Sequence, residues 1–253
     1  MTKQLLDLRI SSRRHLPGGM WHLTFERTDG QPMPAIEPGQ FAQVRIGGTL
    51  LRRPISICDV PDAAHLHMLV RPVGDATTAL CTAEEGSVFN VLLPLGHGFS
   101  PAARGERVLL TGGGVGCAPL VMLCRRLVEA GAEVTVAIGG RTAADVDGLP
   151  EMYPGARVAI STDDGSRGHH GLVTTLPEMS EDYSRIYTCG PTPMMKAVAR
   201  IARARGIDCE VSLENMMACG LGACLCCVEK TVDGNTCVCT EGPVFNINRL
   251  TWQ

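Results

Sequence analysis

Over its first hundred residues the chain changes between apolar and polar positions in short runs. In Phe41-Ala-Gln-Val-Arg-Ile46 and in His65 to Val70 apolar residues recur at every second position, the period of a half-buried strand. Leu5–Ile10, Met20–Arg27, Phe41–Ile46, Leu66–Arg71 and Ser87–Leu92 read as strands. Pro17-Gly18-Gly19, Pro38-Gly39 and Gly47-Gly48 punctuate them, and Thr77–Glu84 predicts one helix. Strands this short and closely spaced predict a small antiparallel β-barrel over residues 1–100.

The rhythm then becomes strand followed by helix. Val108–Thr111 is a short buried strand. Leu120, Leu123, Cys124, Leu127 and Val128 follow at i, i+3, i+4, i+7 and i+8, and Gly131 ends that helix. Val134–Ile138, Val158–Ser161 and Ile186–Cys189 predict further strands. Thr192 reads as an N-cap with Pro193 at N1, opening a helix that ends near Gly206. This alternation predicts a doubly wound parallel α/β sheet over residues 101–212. From residue 213 to 253 the pattern is lost, which predicts a third, small domain.

Composition narrows the function classes. With 253 residues, 45% apolar and 19% charged, the chain can bury a sizeable core. A net charge of −3, no block of basic residues and 4% aromatics argue against nucleic acid or an anionic membrane as partner. The N-terminus carries charge early and has no apolar h-region. The longest apolar run, near Cys117–Cys124, is far shorter than a membrane span. These features predict a soluble, cytoplasmic protein.

Twelve cysteines without a secretion signal point away from a disulfide framework. Six of them, Cys219, Cys224, Cys226, Cys227, Cys237 and Cys239, fall within 21 residues. Cys219, Cys224 and Cys227 give C-x4-C-x2-C, the plant-type [2Fe–2S] spacing, with a fourth cysteine downstream. Gly220 and Gly222 allow the loop to curl with its amides inward, offsetting the charge of four thiolates. The alternative is a four-cysteine zinc site, which more often shows two separated C-x2–4-C pairs. Cys226 and Cys237 are left over and are expected to be small buried thiols.

Two further segments carry cofactor chemistry. Arg53-Pro54-Ile55-Ser56, preceded by Arg52, offers a guanidinium for a diphosphate and a hydroxyl for a flavin ring edge. Gly74-Asp-Ala-Thr77-Thr78 opens the predicted barrel helix, whose free N–H groups and hydroxyls suit a pyrophosphate. Gly112-Gly113-Gly114-Val115-Gly116 follows a strand and opens a helix, the context of a dinucleotide phosphate loop. It does not fit G-x-G-x-x-G, and no acidic residue follows at the next strand end. Asp163 and Asp164, after the third strand of this region, would repel a 2′-phosphate and so predict NAD over NADP. Cys189-Gly190-Pro191 ends the fourth strand at the ligand-binding edge, so the Cys189 thiol is a candidate at the nicotinamide–flavin contact, the alternative being a buried structural cysteine. His169 and His170 read as solvated loop residues.

In this order, the motifs resemble the ferredoxin-NADP reductase superfamily, and within it the electron-transfer subunits of type B dihydroorotate dehydrogenase. The resemblance covers essentially the whole chain and is most specific at Ser212 to Cys227 and at Cys239-Thr-Glu-Gly-Pro-Val-Phe245. It implies FAD held by Arg53, Pro54, Ile55 and Ser56, with Val70, Arg71, Pro72, Thr77 and Thr78. It implies a cluster on Cys219, Cys224, Cys227 and Cys239, because the fourth family ligand precedes x-x-Gly-Pro. It also implies an FMN-containing dihydroorotate dehydrogenase partner, in a heterotetramer with two copies of each chain. That partner would oxidise dihydroorotate, and electrons would reach NAD⁺ through the cluster and FAD of this chain. The chain departs from the family at Ala76, where G-x-G-T is usual, and in the short stretch of 11 residues between Cys227 and Cys239. Two alternatives stay open: a stand-alone NAD(P)H reductase serving a ferredoxin or other acceptor, and a zinc-stabilised binding module.

Overall fold

The computed structural model describes residues 2–252. The first sheet comprises β1 (Gln4–His15), β2 (Trp21–Arg27), β3 (Phe41–Val44), β4 (Arg53–Ser56), β5 (His65–Val70) and, after helix α1 (Asp75–Thr82), β6 (Val88–Leu95). All its pairings are antiparallel, in the order β4-β3-β6-β1-β2-β5. The two edge strands, β4 and β5, approach each other, so the sheet curls toward a barrel. Leu8, Ile10, Leu23, Phe25, Leu66 and Met68 fill its interior, and Leu80 and Cys81 of α1 join that core.

The second sheet carries β7 (Arg107–Gly113), α2 (Ala118–Glu129), β8 (Glu133–Gly140), α3 (Ala143–Val146), β9 (Arg157–Thr162), β10 (His169–His170), β11 (Arg185–Cys189), α4 (Thr192–Arg205) and β12 (Asp208–Ser212). Its order is β10-β9-β8-β7-β11-β12, followed by a strand from the C-terminal segment, and every pairing through β12 is parallel. Apolar residues of α2 pack on one face with Tyr153, and those of α4 on the other. The chain winds outward from β7 to β10 and then returns to place β11 beside β7. That reversal makes the carboxyl ends of β7 and β11 the crevice where such sheets bind ligands.

The C-terminal segment folds as a hairpin, β13 (Val228–Thr231) with β14 (Gly234–Cys237), then the short helix α5 (Val238–Glu241) and β15 (Val244–Asn246). β15 adds antiparallel to β12, pairing Phe245 with Val211, so the last residues complete the second sheet. The two larger sheets are tied together. Arg125 of α2 meets Asp59 at 2.7 Å, and Met122 reaches the barrel core.

Local differences from the sequence reading are small. The barrel helix starts at Asp75, two residues early. Thr192 is the first residue of α4, and Pro191 occupies the N-cap position. His169 and His170 form a two-residue strand beside β9, and only His170 is fully exposed. β12 carries no sequence signal strong enough to be anticipated: Asp-Cys-Glu-Val-Ser is short and alternates weakly.

Candidate functional site

Two clefts meet at the carboxyl edge of the second sheet, and Asn215, Met216 and Met217, which line the smaller one, lead into the thiol loop. The larger cleft, about 680 Å³, opens at the switch point and is lined by Gly113, Gly114, Gly116 and Asp163. The smaller, about 340 Å³, lies against the barrel and is lined by Pro54, Ile55, Ser56, Val70, Arg71 and Thr77. Arg71, Val115 and Glu214 border both, so the two clefts join there.

The barrel cleft combines unpaired backbone groups, apolar walls and a hydroxyl, features that suit a flavin ring. β4 is an edge strand, so its outer backbone N–H and C=O groups are not paired in the sheet. Phe41 and Val115 offer apolar walls, and Ser56 a hydroxyl. The two arginines of the motif differ. Arg52 is committed to the barrel: it donates to the carbonyls of Gln43 at 3.2 Å and Asn90 at 2.8 Å and to the Asn90 side chain at 2.6 Å. Arg53 donates only to backbone carbonyls of its own strand end, Leu51 at 2.8 Å and Arg52 at 3.4 Å. Arg53, Pro72 and Thr78 stand outside the cleft lining. Thr77 lines the cleft, but its hydroxyl already accepts from Val73 N–H at 2.9 Å and donates to the Gly74 carbonyl at 3.1 Å. Arg71 donates to Asp145 of α3 at 3.2 Å. Burial opposes ionisation of Asp145, but Arg71, the Thr142 N–H and Arg141 together hold its carboxyl below the usual range.

The glycines between β7 and α2 serve two purposes. A Cβ on Gly116 would come within 2.5 Å of Gly190 Cα and 2.6 Å of the Cys189 carbonyl oxygen. This glycine is needed so that the turn after β11 can pack against the phosphate loop. Gly114 differs: its φ of +55° is left-handed and its side faces open space, with only Arg71 Nη2 at 3.9 Å. Gly114 is the glycine that leaves room for a ligand. Gly112 lies behind the cleft, where a Cβ would strike Cys117 Sγ at 2.5 Å.

At the carboxyl ends of β9 and β11 the predicted residues separate. Asp163 lines the nucleotide cleft. Asp164 instead accepts from the Ser166 N–H at 3.0 Å and hydroxyl at 2.6 Å, and these bonds hold its carboxyl below the usual range. Cys189 is fully buried behind Gly190 and Pro191, and burial pushes its thiol far above the usual range. The thiol lies 4.0 Å from the Glu214 carboxylate. Glu214, not Cys189, borders the joined clefts. It is open to cleft water, yet the surrounding protein desolvates it and pushes its pKa up. Sequence reasoning missed Glu214 because it missed β12. An acidic residue just past the carboxyl end of a parallel strand would have been the signal.

The thiol loop turns backbone donors toward sulfur. Leu221 N–H points to Cys219 Sγ at 3.3 Å, Gly222 N–H to Cys239 Sγ at 3.2 Å, and Cys239 N–H to Cys227 Sγ at 3.4 Å. The Leu221 N–H and its neighbours hold the Cys219 thiol well below its usual range, whereas burial pushes Cys239 up. Gly220, Gly222 and Leu225 all take positive φ, which winds the loop around its own amides. Among the described residues no three His, Cys, Asp or Glu side chains gather tightly enough for a single metal ion. Cys219 neighbours Cys224, and Cys227 neighbours both Cys237 and Cys239. Thiols on one continuous loop with inward amides suit a two-iron group, whereas zinc ribbons show two separated pairs. Cys226 is exposed and Cys237 half-buried, a correction to the expectation that both are buried: the loop runs along the surface and presents Cys226 outward.

Comparison with known proteins agrees with this layout. The family model described as the iron-sulfur cluster binding domain of dihydroorotate dehydrogenase B matches residues 214–251. A protein of Shouchella clausii named dihydroorotate dehydrogenase B (NAD(+)), electron transfer subunit, is 43% identical, over 85% of this chain and 86% of that protein. A protein of the same name from Desulforamulus reducens is 40% identical over 99% of both chains. Among solved structures, an NADH-dependent reduced ferredoxin-NADP oxidoreductase superposes with a TM-score of 0.86 at 27% identity, over 97% of this chain and 90% of that one. Phthalate dioxygenase reductase shares the fold, with a TM-score of 0.64 at 20% identity over 79% of this chain and 64% of that one. With relatives this similar along nearly the full length of both chains, the protein belongs to the family of dihydroorotate dehydrogenase B electron transfer subunits.

Proposed function

We propose that this chain is the electron transfer subunit of an NAD⁺-dependent dihydroorotate dehydrogenase and works with a catalytic subunit that holds FMN. The observation that carries the reading is the junction of the two clefts at Arg71, Val115 and Glu214, followed along the chain by a loop whose N–H groups turn toward its thiols. FAD is assigned to the barrel cleft, with Pro54, Ile55, Ser56, Val70, Arg71 and Thr77 lining it and Arg53, Pro72 and Thr78 at its margin. NAD⁺ is assigned to the cleft of Gly113, Gly114, Gly116 and Asp163, backed by Gly112. Cys219, Cys224, Cys227 and Cys239 are assigned to a [2Fe–2S] cluster. Such a cluster supplies single-electron transfer and a flavin converts single electrons to the hydride pair that nicotinamide takes up.

This chain then needs no substrate base of its own. Val115 and Glu214 border the contact between the two ligands, and the buried Cys189 supports Glu214 from behind. The exposed Cys224 is flanked by Leu221 at 47% and Leu225 at 64% exposure, an apolar rim suited to a partner surface. None of the twelve cysteines is in a disulfide, which fits the reducing cytoplasm. Among the described residues no helix is long and apolar enough to cross a membrane.

The test is Cys224→Ser in the full complex. NADH should still bleach the flavin, while exchange with the partner subunit is abolished. Loss of both in a folded, FAD-loaded protein contradicts the assignment. A variant that still drives NAD⁺ reduction from dihydroorotate at the wild-type rate contradicts it equally.

A further inference from the structure

Gln43 lies in β3, is 0% exposed, and has no hydrogen-bond partner for either Nε2 or Oε1 among the described residues. A carboxamide sealed in protein is strongly disfavoured unless some group completes its hydrogen bonds. Its surroundings narrow down which group that is. Gln43 pairs with Pro54 across β4, and Phe41 pairs with Ser56. Residues that alternate along a strand share a face, so Gln43 lies on the face of Phe41, Pro54 and Ser56, which line the barrel cleft. Ala42 and Val44 take the opposite face and belong to the barrel core.

On its other side is the thiol loop. A Cβ on Gly220 would come 2.8 Å from Gln43 Cγ and 3.0 Å from Nε2. The carboxamide therefore rests on the backbone between Cys219 and Leu221, the stretch whose N–H turns toward Cys219 Sγ. Arg52 anchors the Gln43 carbonyl from behind, at 3.2 Å. The side chain thus stands on a fixed strand, on the face that carries cleft-lining neighbours, and packs against the thiol loop at Gly220.

We propose that Gln43 donates a hydrogen bond from Nε2 to an inorganic sulfide of the iron–sulfur cluster, since no cysteine sulfur lies within bonding distance of it, and so sets the cluster's reduction potential. The inference rests on the cluster assignment above. An N–H donor stabilises the added negative charge of the reduced state, so it makes the cluster easier to reduce. Gln43 is a positioning residue in this account: it holds no iron and transfers no proton.

The test is a redox titration of the full complex, following the cluster by electron paramagnetic resonance and the flavin by absorbance. In Gln43→Met, of similar length and without donors, the reduced-to-oxidised ratio of the cluster at a fixed potential should fall about tenfold, about 59 mV for a one-electron couple. The flavin couple should stay in place. An unchanged cluster potential, or a shift confined to the flavin, overturns the proposal. If the variant does not load, the wild-type complex decides alone. With glutamine labelled with ¹⁵N at its side-chain amide, pulsed resonance on the reduced cluster should show coupling to that nitrogen, and its absence overturns the proposal. A complex with no [2Fe–2S] signal at all overturns the cluster assignment, and this inference with it.

Discussion

Gly116→Ala tests whether the glycine-rich loop is shaped by packing against the turn after β11. The added Cβ would lie 2.5 Å from Gly190 Cα, 0.9 Å inside the 3.4 Å at which ordinary contact begins, with the Cys189 carbonyl and Gly190 nitrogen at 2.6 and 2.7 Å. All three neighbours are backbone, so no side chain can swing aside. Overpacking of this kind costs about 1–3 kcal/mol, and contact on three sides places this case near 3. For a chain of this size that lowers Tm by about 6–12 °C. The turn must retreat by most of an ångström, and it carries Gly190 and Pro191, which line the nucleotide cleft. A misplacement of about 1 Å can lower a hydride-transfer rate about 100-fold. Stopped-flow reduction of the flavin by NADH measures the rate, and a thermal melt measures the stability. Gly47→Ala is the control, because nothing lies within 4 Å of its added Cβ. A Gly116→Ala protein with wild-type melting and wild-type flavin reduction would show the packing argument to be wrong.

Three further outcomes follow from the same geometry. Asp163→Ser should raise NADPH use relative to NADH, because Asp163 faces the cleft; Asp164→Ser should not, because that carboxylate is bound to Ser166. Steady-state kinetics with both nucleotides decides between them. Glu214 has its pKa raised by desolvation, so its protonated form favours folding below the unfolded-state value, and that contribution is lost as pH rises through the folded-state value. Wild-type stability relative to Glu214→Gln should therefore fall as pH rises upward from 4.5, as read by melts across that range. Tyr153→Phe removes a buried hydroxyl that donates to the Cys117 carbonyl at 2.7 Å, and should cost about 1–3 kcal/mol in denaturant unfolding by leaving that carbonyl unpaired.

The sequence made the architecture legible wherever periodicity was strong. Alternation at Phe41 and His65 marked barrel strands, and the apolar stripe from Leu120 to Val128 marked α2. What it could not show were contacts set by tertiary packing. Gly112, Gly113 and Gly116 looked alike in sequence, but Gly112 lies behind the cleft, and Gly113 and Gly116 line it while neighbouring residues fill the space a Cβ would take; Gly114 has that space open. Thr77 looked like a phosphate donor, but its hydroxyl is engaged at the start of α1. Cys189 stood out as a chemical group at a strand end and is buried, while the less conspicuous Glu214 borders the cleft. Cys219, Cys224 and Cys227 stood out as cluster candidates because cluster spacing is a local property, whereas Cys239 was named over Cys237 only through the family resemblance. Gln43 could not, because its importance depends on a loop 177 positions later folding back onto β3.

The central claim is that electrons from dihydroorotate reach NAD⁺ through this chain. The direct measurement is anaerobic NADH formation on adding dihydroorotate and NAD⁺ to this chain purified with the subunits that accompany it. The account predicts NADH production, with an FMN-containing second subunit in the preparation. A flavin- and iron-loaded preparation that oxidises NADH but never responds to dihydroorotate would contradict it and leave a reductase serving another acceptor.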